Sequence, residues 1–207
     1  MFFAAMLSVF IGCETEKVQS GEIQKQSYVS PSADSTYFQE VGSAIGLNFT
    51  HSIGGTEMKN IIESVGGGAA FLDYDNDGYL DIYACSGIWI EGFSKSDRPK
   101  NKTGNKLYRN RQDGTFEDVT DKAKVSGDWY SMGVSVADFN NDGYADLFLS
   151  NYGKNTLLEN QGDGTFTDRS KESGLEGGME CSVGATWLDY DNDGLLDLYV
   201  GNYLNFD

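Results

Sequence analysis

Asp73-Tyr74-Asp75-Asn76-Asp77-Gly78-Tyr79-Leu80-Asp81 recurs twice in this chain. The second copy is Asp138-Phe139-Asn140-Asn141-Asp142-Gly143-Tyr144-Ala145-Asp146, and the third is Asp189-Tyr190-Asp191-Asn192-Asp193-Gly194-Leu195-Leu196-Asp197. Each copy puts oxygen-bearing side chains at positions 1, 3, 5 and 9 and glycine at position 6. Alternate residues of a tight loop can converge on one point, and glycine permits the sharp turn that returns position 9 to it. A hard divalent cation takes about 6–8 oxygen ligands in flexible geometry, so the pattern reads as a calcium loop. The main-chain carbonyl at position 7 (Tyr79, Tyr144, Leu195) is a further candidate ligand. Asp-Asn-Asp-Gly is also ordinary turn chemistry. A metal-free turn, however, does not require carboxylates at the same spacing three times over, and such clustering costs like-charge repulsion unless a cation neutralises it.

An EF-hand would carry glutamate at position 12; here those positions are Ala84, Leu149 and Val200. Short alternating runs follow instead: Leu80–Ala84, Ala145–Leu149 and Leu196–Val200. Short apolar runs also precede each loop, over Gly68–Leu72, Val134–Ala137 and Val183–Leu188. Both sides read as strands, so each loop is expected at a β-hairpin turn. A second hairpin follows the first two. Asn105–Asn110 and Phe116–Val119 flank Asp113-Gly114, while Asn155–Asn160 and Phe166–Asp168 flank Asp163-Gly164. One unit is then four strands, with an insertion near 88–104 lengthening the first. This predicts an all-β fold, a partial β-propeller of four-stranded blades with Asp-rich calcium loops. About three blades are expected over 37–207, the last incomplete, as in the N-terminal part of a longer protein.

These residues resemble the FG-GAP/VCBS repeat proteins, whose blades are similar to those of the integrin α-subunit propeller. The matching pieces are Phe38–Val41 through Gly46-Leu47, Gly66-Gly67-Gly68, and the three loops with their Asn-x-Leu and Asp-Gly-Thr-Phe followers. Within that family the chain looks most like the ASPIC/UnbV group, which is similar to cartilage acidic protein. The resemblance implies a repeat module that works in adhesion or extracellular recognition.

The formal net charge is −17. Three bound divalent ions would still leave the protein acidic, which argues against nucleic acid as a partner. Residues 1–13, Met1 to Cys13, form an apolar run too short to span a bilayer, which takes about 20 residues. The run resembles a lipoprotein signal with cleavage before Cys13 and lipid on its thiol, although the usual basic start is missing. Residues 14–36 are polar and suit a tether. Together they predict export to a bacterial cell envelope, with membrane attachment through the lipid, or secretion. That placement fits weak calcium loops, since extracellular modules bind the ion with dissociation constants of about 10⁻⁴–10⁻³ M. Cys85 and Cys181 are expected as buried free thiols, without the CxxC spacing of a zinc site.

His51 is the single histidine, and no Gly-x-Ser-x-Gly elbow accompanies it. A packing role is expected for it rather than catalysis. The paired aspartates could suggest glycoside hydrolysis, but clustered carboxylates suit a metal better than a lone catalytic acid does. Gly66–Gly68 is followed by a strand and by no lysine, so it is read as close packing of the innermost strand or the bend leading into it, not a phosphate cradle. Trp129 and Trp187 are expected between blades, and Trp89 and Phe93, in the insertion, on an exposed binding surface. The leading expectation is a non-enzymatic calcium-binding module with about three Ca²⁺ and a protein or glycan ligand. The alternatives are the scaffold part of a larger extracytoplasmic enzyme, or an assembly module.

Overall fold

The computed structural model describes residues 39–94, 97–98, 100, 103–175, 178 and 181–203. The apolar leader over 1–13, Cys13, the linker over 14–36 and Phe38 lie outside the described residues. Ten strands form three antiparallel sheets. The first blade is β1 (Ala69–Leu72), β2 (Asp81–Ala84), β3 (Lys106–Asn110) and β4 (Phe116–Asp118), in that order across the sheet. The second is β5 (Ser131–Ala137), β6 (Asp146–Asn151), β7 (Thr156–Asn160) and β8 (Phe166–Asp168), ordered the same way. β9 (Ser182–Leu188) and β10 (Asp197–Asn202) make the third sheet, a single hairpin among the described residues.

The registers repeat. Leu72 pairs with Asp81, Ala137 with Asp146 and Leu188 with Asp197, so each acidic loop is closed by the same pair of positions. Ile82 pairs with Tyr108 as Leu147 does with Leu158. Asn110 pairs with Phe116 as Asn160 does with Phe166. The β2–β3 connection is long and the β6–β7 connection short, which places the insertion where the sequence puts it. A third repeated part follows each outer strand. Val125 N–H donates to Thr120 O and Leu175 N–H to Ser170 O, and Leu47 N–H donates to Gly42 O in the same way. The residue before each donor has positive φ: Gly46, Lys124 and Gly174. Residues 41–47 are thus a post-blade turn (its 3-10 stretch is Gly42–Ile45) without a described blade before it.

The main core lies between the two complete blades. Leu72, Tyr74, Tyr83, Leu107, Val119 and Val125 of the first meet Leu147, Leu149, Leu158 and Phe166 of the second. The Tyr74 and Phe166 rings stack with centroids 6.4 Å apart. The other face of the first blade, at Ile82 and Tyr108, is covered by Leu47 with Ile45 and Phe49. β2 and β6 are buried at every position because strands flank both edges and apolar groups cover both faces. Trp187 lies against Phe139 and Phe148, joining the second blade to the third.

Blade spacing is set by the glycines five residues before the first two loops. A Cβ on Gly68 would stand 3.0 Å from Gly133 Cα, and one on Gly133 would stand 3.1 Å from Val183 O. Only a residue without a side chain lets the inner strands β1, β5 and β9 approach this closely. Gly133→Val is therefore expected to lower stability by about 1–3 kcal/mol, as overpacking does. Gly66→Ala, whose added carbon meets nothing within 4 Å, is expected to leave the denaturant midpoint nearly unchanged.

Candidate metal centres

The backbone of all three loops follows one path. Position 4 is left-handed in each, with Asn76, Asn141 and Asn192 at φ 54°, 57° and 61°. Asparagine tolerates this region better than most residues. Position 6 is left-handed too, at Gly78, Gly143 and Gly194. This curl aims successive N–H groups at the position-1 carboxylate. Asp73 accepts from Asp77 N (3.0 Å) and Gly78 N (2.8 Å). Asp138 accepts from Asp142 N and Gly143 N, and Asp189 from Asp193 N and Gly194 N. The position-9 carboxylate reaches back to the loop start, accepting from Tyr74 N at Asp81, Phe139 N at Asp146 and Tyr190 N at Asp197. In the complete blades its second oxygen accepts from the third strand, Asn110 N to Asp81 and Asn160 N to Asp146, both at 2.7 Å.

Carboxylate oxygens of Asp73, Asp75 and Asp81 lie within 4.8 Å of one another, as do those of Asp189, Asp191 and Asp197. These groups could hold a metal ion. Their donors are all hard oxygen, and each carboxylate oxygen keeps lone pairs beyond its backbone hydrogen bonds. Asp75 Oδ1 is buried with no hydrogen-bond partner, as an oxygen reserved for a cation would be. In the second loop Asp138, Asn140 and Asp146 take the equivalent places, with the Asn140 amide for a carboxylate. In the first and third loops position 5 lies outside the groups of converging carboxylates. Asp77, Asp142 and Asp193 turn back on their own loops, each accepting from the N–H of position 7 (Tyr79, Tyr144, Leu195). The side chains of Tyr79 and Leu195 are exposed, so position 7 can offer only its carbonyl to an ion.

Asp81 and Asp146 are 0% and 1% exposed. Burial pushes both carboxyls up from about 3.8 to about 6, against the hydrogen bonds from the backbone; the other acids of each loop add to the rise. Both groups are the hidden end of an otherwise open loop.

Several residues at the loops carried no expectation from sequence. Asn110 Nδ2 donates to Leu80 O and Asn160 Nδ2 to Ala145 O, so each asparagine clamps the loop's exit. Asn160 Nδ2 also donates to Tyr74 O of the first blade, and Asn76 Nδ2 donates to Gly143 O. Adjacent loops are therefore hydrogen-bonded to each other. The signal for the clamps was available: Asn110 and Asn160 end matching segments of the repeat. Arg109 and Gln112 contact Asp75 and Asp77 in the first loop. In the second, Glu159 accepts from Asn140 and from Arg169. No repeated pattern marks these, because the two blades differ there.

Outside the loops, His51 is half-buried; desolvation lowers its pKa, opposed by a hydrogen bond to the Cys85 backbone, as a packed neutral imidazole requires. Cys85 and Cys181 are free and buried. Phe93 is not part of an exposed surface as expected. Its ring lies 4.3 Å from that of Tyr152 and edge-on to Tyr130, because the insertion folds back on the blade junction. Trp89 sits under the Arg98 guanidinium at 5.4 Å.

The FG-GAP-like repeat pattern matches residues 73–149 and again 138–200. The chain belongs to the FG-GAP-like repeat family. Each match starts at the first aspartate of a loop, so the family's unit and the acidic hairpin coincide. Cartilage acidic protein 1 of Mus musculus is 34% identical over 89 residues, covering 42% of this chain and 14% of the relative. The Homo sapiens protein of that name matches to the same extent. The Xenopus tropicalis one is 33% identical over 72 residues, 34% of this chain and 11% of the relative. This FG-GAP-like chain therefore spans a small part of the length of the curated relatives it matches.

The raised carboxyls set a pH dependence. Without metal, the stability linked to Asp81 and Asp146 is present below the ordinary carboxyl pKa and is lost as pH rises through about 6. An ion in the loop must displace those protons. Added calcium is therefore expected to raise the melting temperature more at about pH 7 than at about pH 5, as read by thermal denaturation with and without the ion at each pH.

Proposed function

We propose that this chain is a non-enzymatic calcium-binding FG-GAP-like module of an exported protein. In it, Ca²⁺ fixes the hairpin turns of successive propeller blades. Asp73, Asp75 and Asp81 would hold one ion, Asp138, Asn140 and Asp146 a second, and Asp189, Asp191 and Asp197 a third. Asp77, Asp142 and Asp193 stand at the rims, within reach by a side-chain rotation. When bound, the ion supplies charge neutralisation and cross-linking of loop start to loop end. The chain's own residues supply the oxygen cage, the backbone hydrogen bonds that pre-orient it, and the clamps Asn110 and Asn160.

The observation that carries this reading is the buried, unpartnered Oδ1 of Asp75 within a cage of three carboxylates. The second loop, with one fewer carboxylate, is expected to bind through the same geometry. The relatives' name, cartilage acidic protein, favours placement outside the cytoplasm, where calcium is abundant enough to fill sites of about 10⁻⁴–10⁻³ M affinity. In that setting the module would present its loops to a protein or glycan partner in adhesion or recognition. An apolar leader ending at Cys13 supports lipid anchoring to a bacterial envelope.

Calorimetric titration of the chelator-treated protein is expected to show calcium uptake at about three sites, with affinities near 10⁻⁴–10⁻³ M. Asp75→Ala and Asp191→Ala should each remove one site, and chelation should lower the melting temperature. Heat-silent titration together with an unchanged melting temperature at millimolar calcium would contradict the proposal.

A further inference from the structure

We propose that Arg109 is an internal counter-ion of the first loop, competing with calcium there and weakening that site. This rests on the calcium reading of the loops. Arg109 and Glu159 occupy the same place in their blades. Each immediately precedes the asparagine whose N–H donates to the position-9 aspartate, Asn110 to Asp81 and Asn160 to Asp146. Arg109 contacts positions 3 and 5 of its loop and Glu159 contacts position 3 of its own, so the two blades put opposite charges beside position 3.

In the first blade Arg109 Nε lies 2.7 Å from Asp75 Oδ2, and Nη2 donates to Asp77 Oδ2 at 3.3 Å. Gln112 Nε2 donates to the same Asp77 oxygen at 3.1 Å. The outer oxygens of positions 3 and 5 are both taken, while Asp75 Oδ1 remains buried and unpartnered. The Nε contact is close but too poorly angled for a hydrogen bond, so the guanidinium is held there by charge. Its side chain is 38% exposed and can leave toward solvent. In the second blade position 3 is the neutral Asn140, whose Nδ2 donates to Asp142 Oδ2 and Glu159 Oε1. Glu159 is in turn paired with Arg169. Four aspartates and an arginine meet at the first loop; three aspartates and a glutamate–arginine pair meet at the second.

The consequence is a division of roles. The first loop brings its own positive charge, so its blade depends less on the ion for stability. In the second, Glu159 stands where the first has a cation, and Arg169 already pairs it, so the two loops differ in whether a positive charge reaches position 3. A unit positive charge one carboxylate away from a divalent ion, still screened by water, is large enough to change affinity about tenfold. A guanidinium that merely oriented Asp75 would act in the other direction, since its loss would disorder a ligand.

Calcium titration by calorimetry on the full chain decides between them, comparing wild type with Arg109→Gln, Arg109→Leu and Arg109→Lys. The two neutral variants are expected to tighten one site about tenfold and leave the remaining affinities unchanged. Arg109→Lys should keep the wild-type affinity, and adding Asp75→Ala to Arg109→Gln should abolish the tightened site. Unchanged or weakened binding in both neutral variants, with calcium uptake intact in wild type, would overturn the counter-ion role alone. No uptake in wild type would overturn the calcium reading and this inference with it. The two neutral variants differ in shape and polarity, so a folding defect in one leaves the other to decide.

Discussion

The position-9 aspartate holds the repeat together. Asp81 and Asp146 sit at the first residue of a buried strand, and each accepts one backbone hydrogen bond from the loop start and one from the third strand. A single carboxylate thus ties together the loop and two of the four strands. Its burial is costly to a charge, which is why both carboxyls are pushed up to about 6. The rest of the loop brings more negative charge to the same point. A hairpin built this way is geometrically complete but electrostatically unfinished, a state that a divalent cation would relieve under the proposed function.

Coupling between blades follows from the same local features. Asn76 of one loop donates to Gly143 of the next, and Asn160 reaches from the second blade to Tyr74 O in the first. Farther from the loops, Asn105 donates to Ser131 Oγ, which donates to Asn151. Glycines bring the inner strands together, and the apolar faces fill the space between sheets. Fixing one turn therefore constrains its neighbour through hydrogen bonds as well as packing. The post-blade turns extend this: Phe166 of β8 donates to Ala123 O in the turn that follows the first blade.

Much of this was readable along the chain because it is local and repeated. Three loops of identical internal spacing mark the hairpins, Asp113-Gly114 and Asp163-Gly164 mark the second turns, and Gly68 points to close packing. The carboxylates at positions 1, 3 and 9 converge as their spacing implies in the first and third copies. Position 5 lies outside those groups, and Asp77, Asp142 and Asp193 each accept an N–H of their own loop. What sequence could not show depends on contacts between distant segments. Arg109 meets Asp75 only after β3 has paired with β2, and Phe93 is partly buried only once the insertion folds onto Tyr130 and Tyr152. The turn at 41–47 resembles its counterparts mainly in backbone shape, since Gly46, Lys124 and Gly174 share a left-handed conformation but not a side chain.

A crystal structure grown at millimolar calcium examines the central idea most directly. It should show strong density in each loop, contacted at about 2.3–2.6 Å by the carboxylates of Asp73, Asp75 and Asp81 and their equivalents, with the flanking hairpins unchanged. Loops holding only water, with Asp75 turned out to solvent, would contradict it.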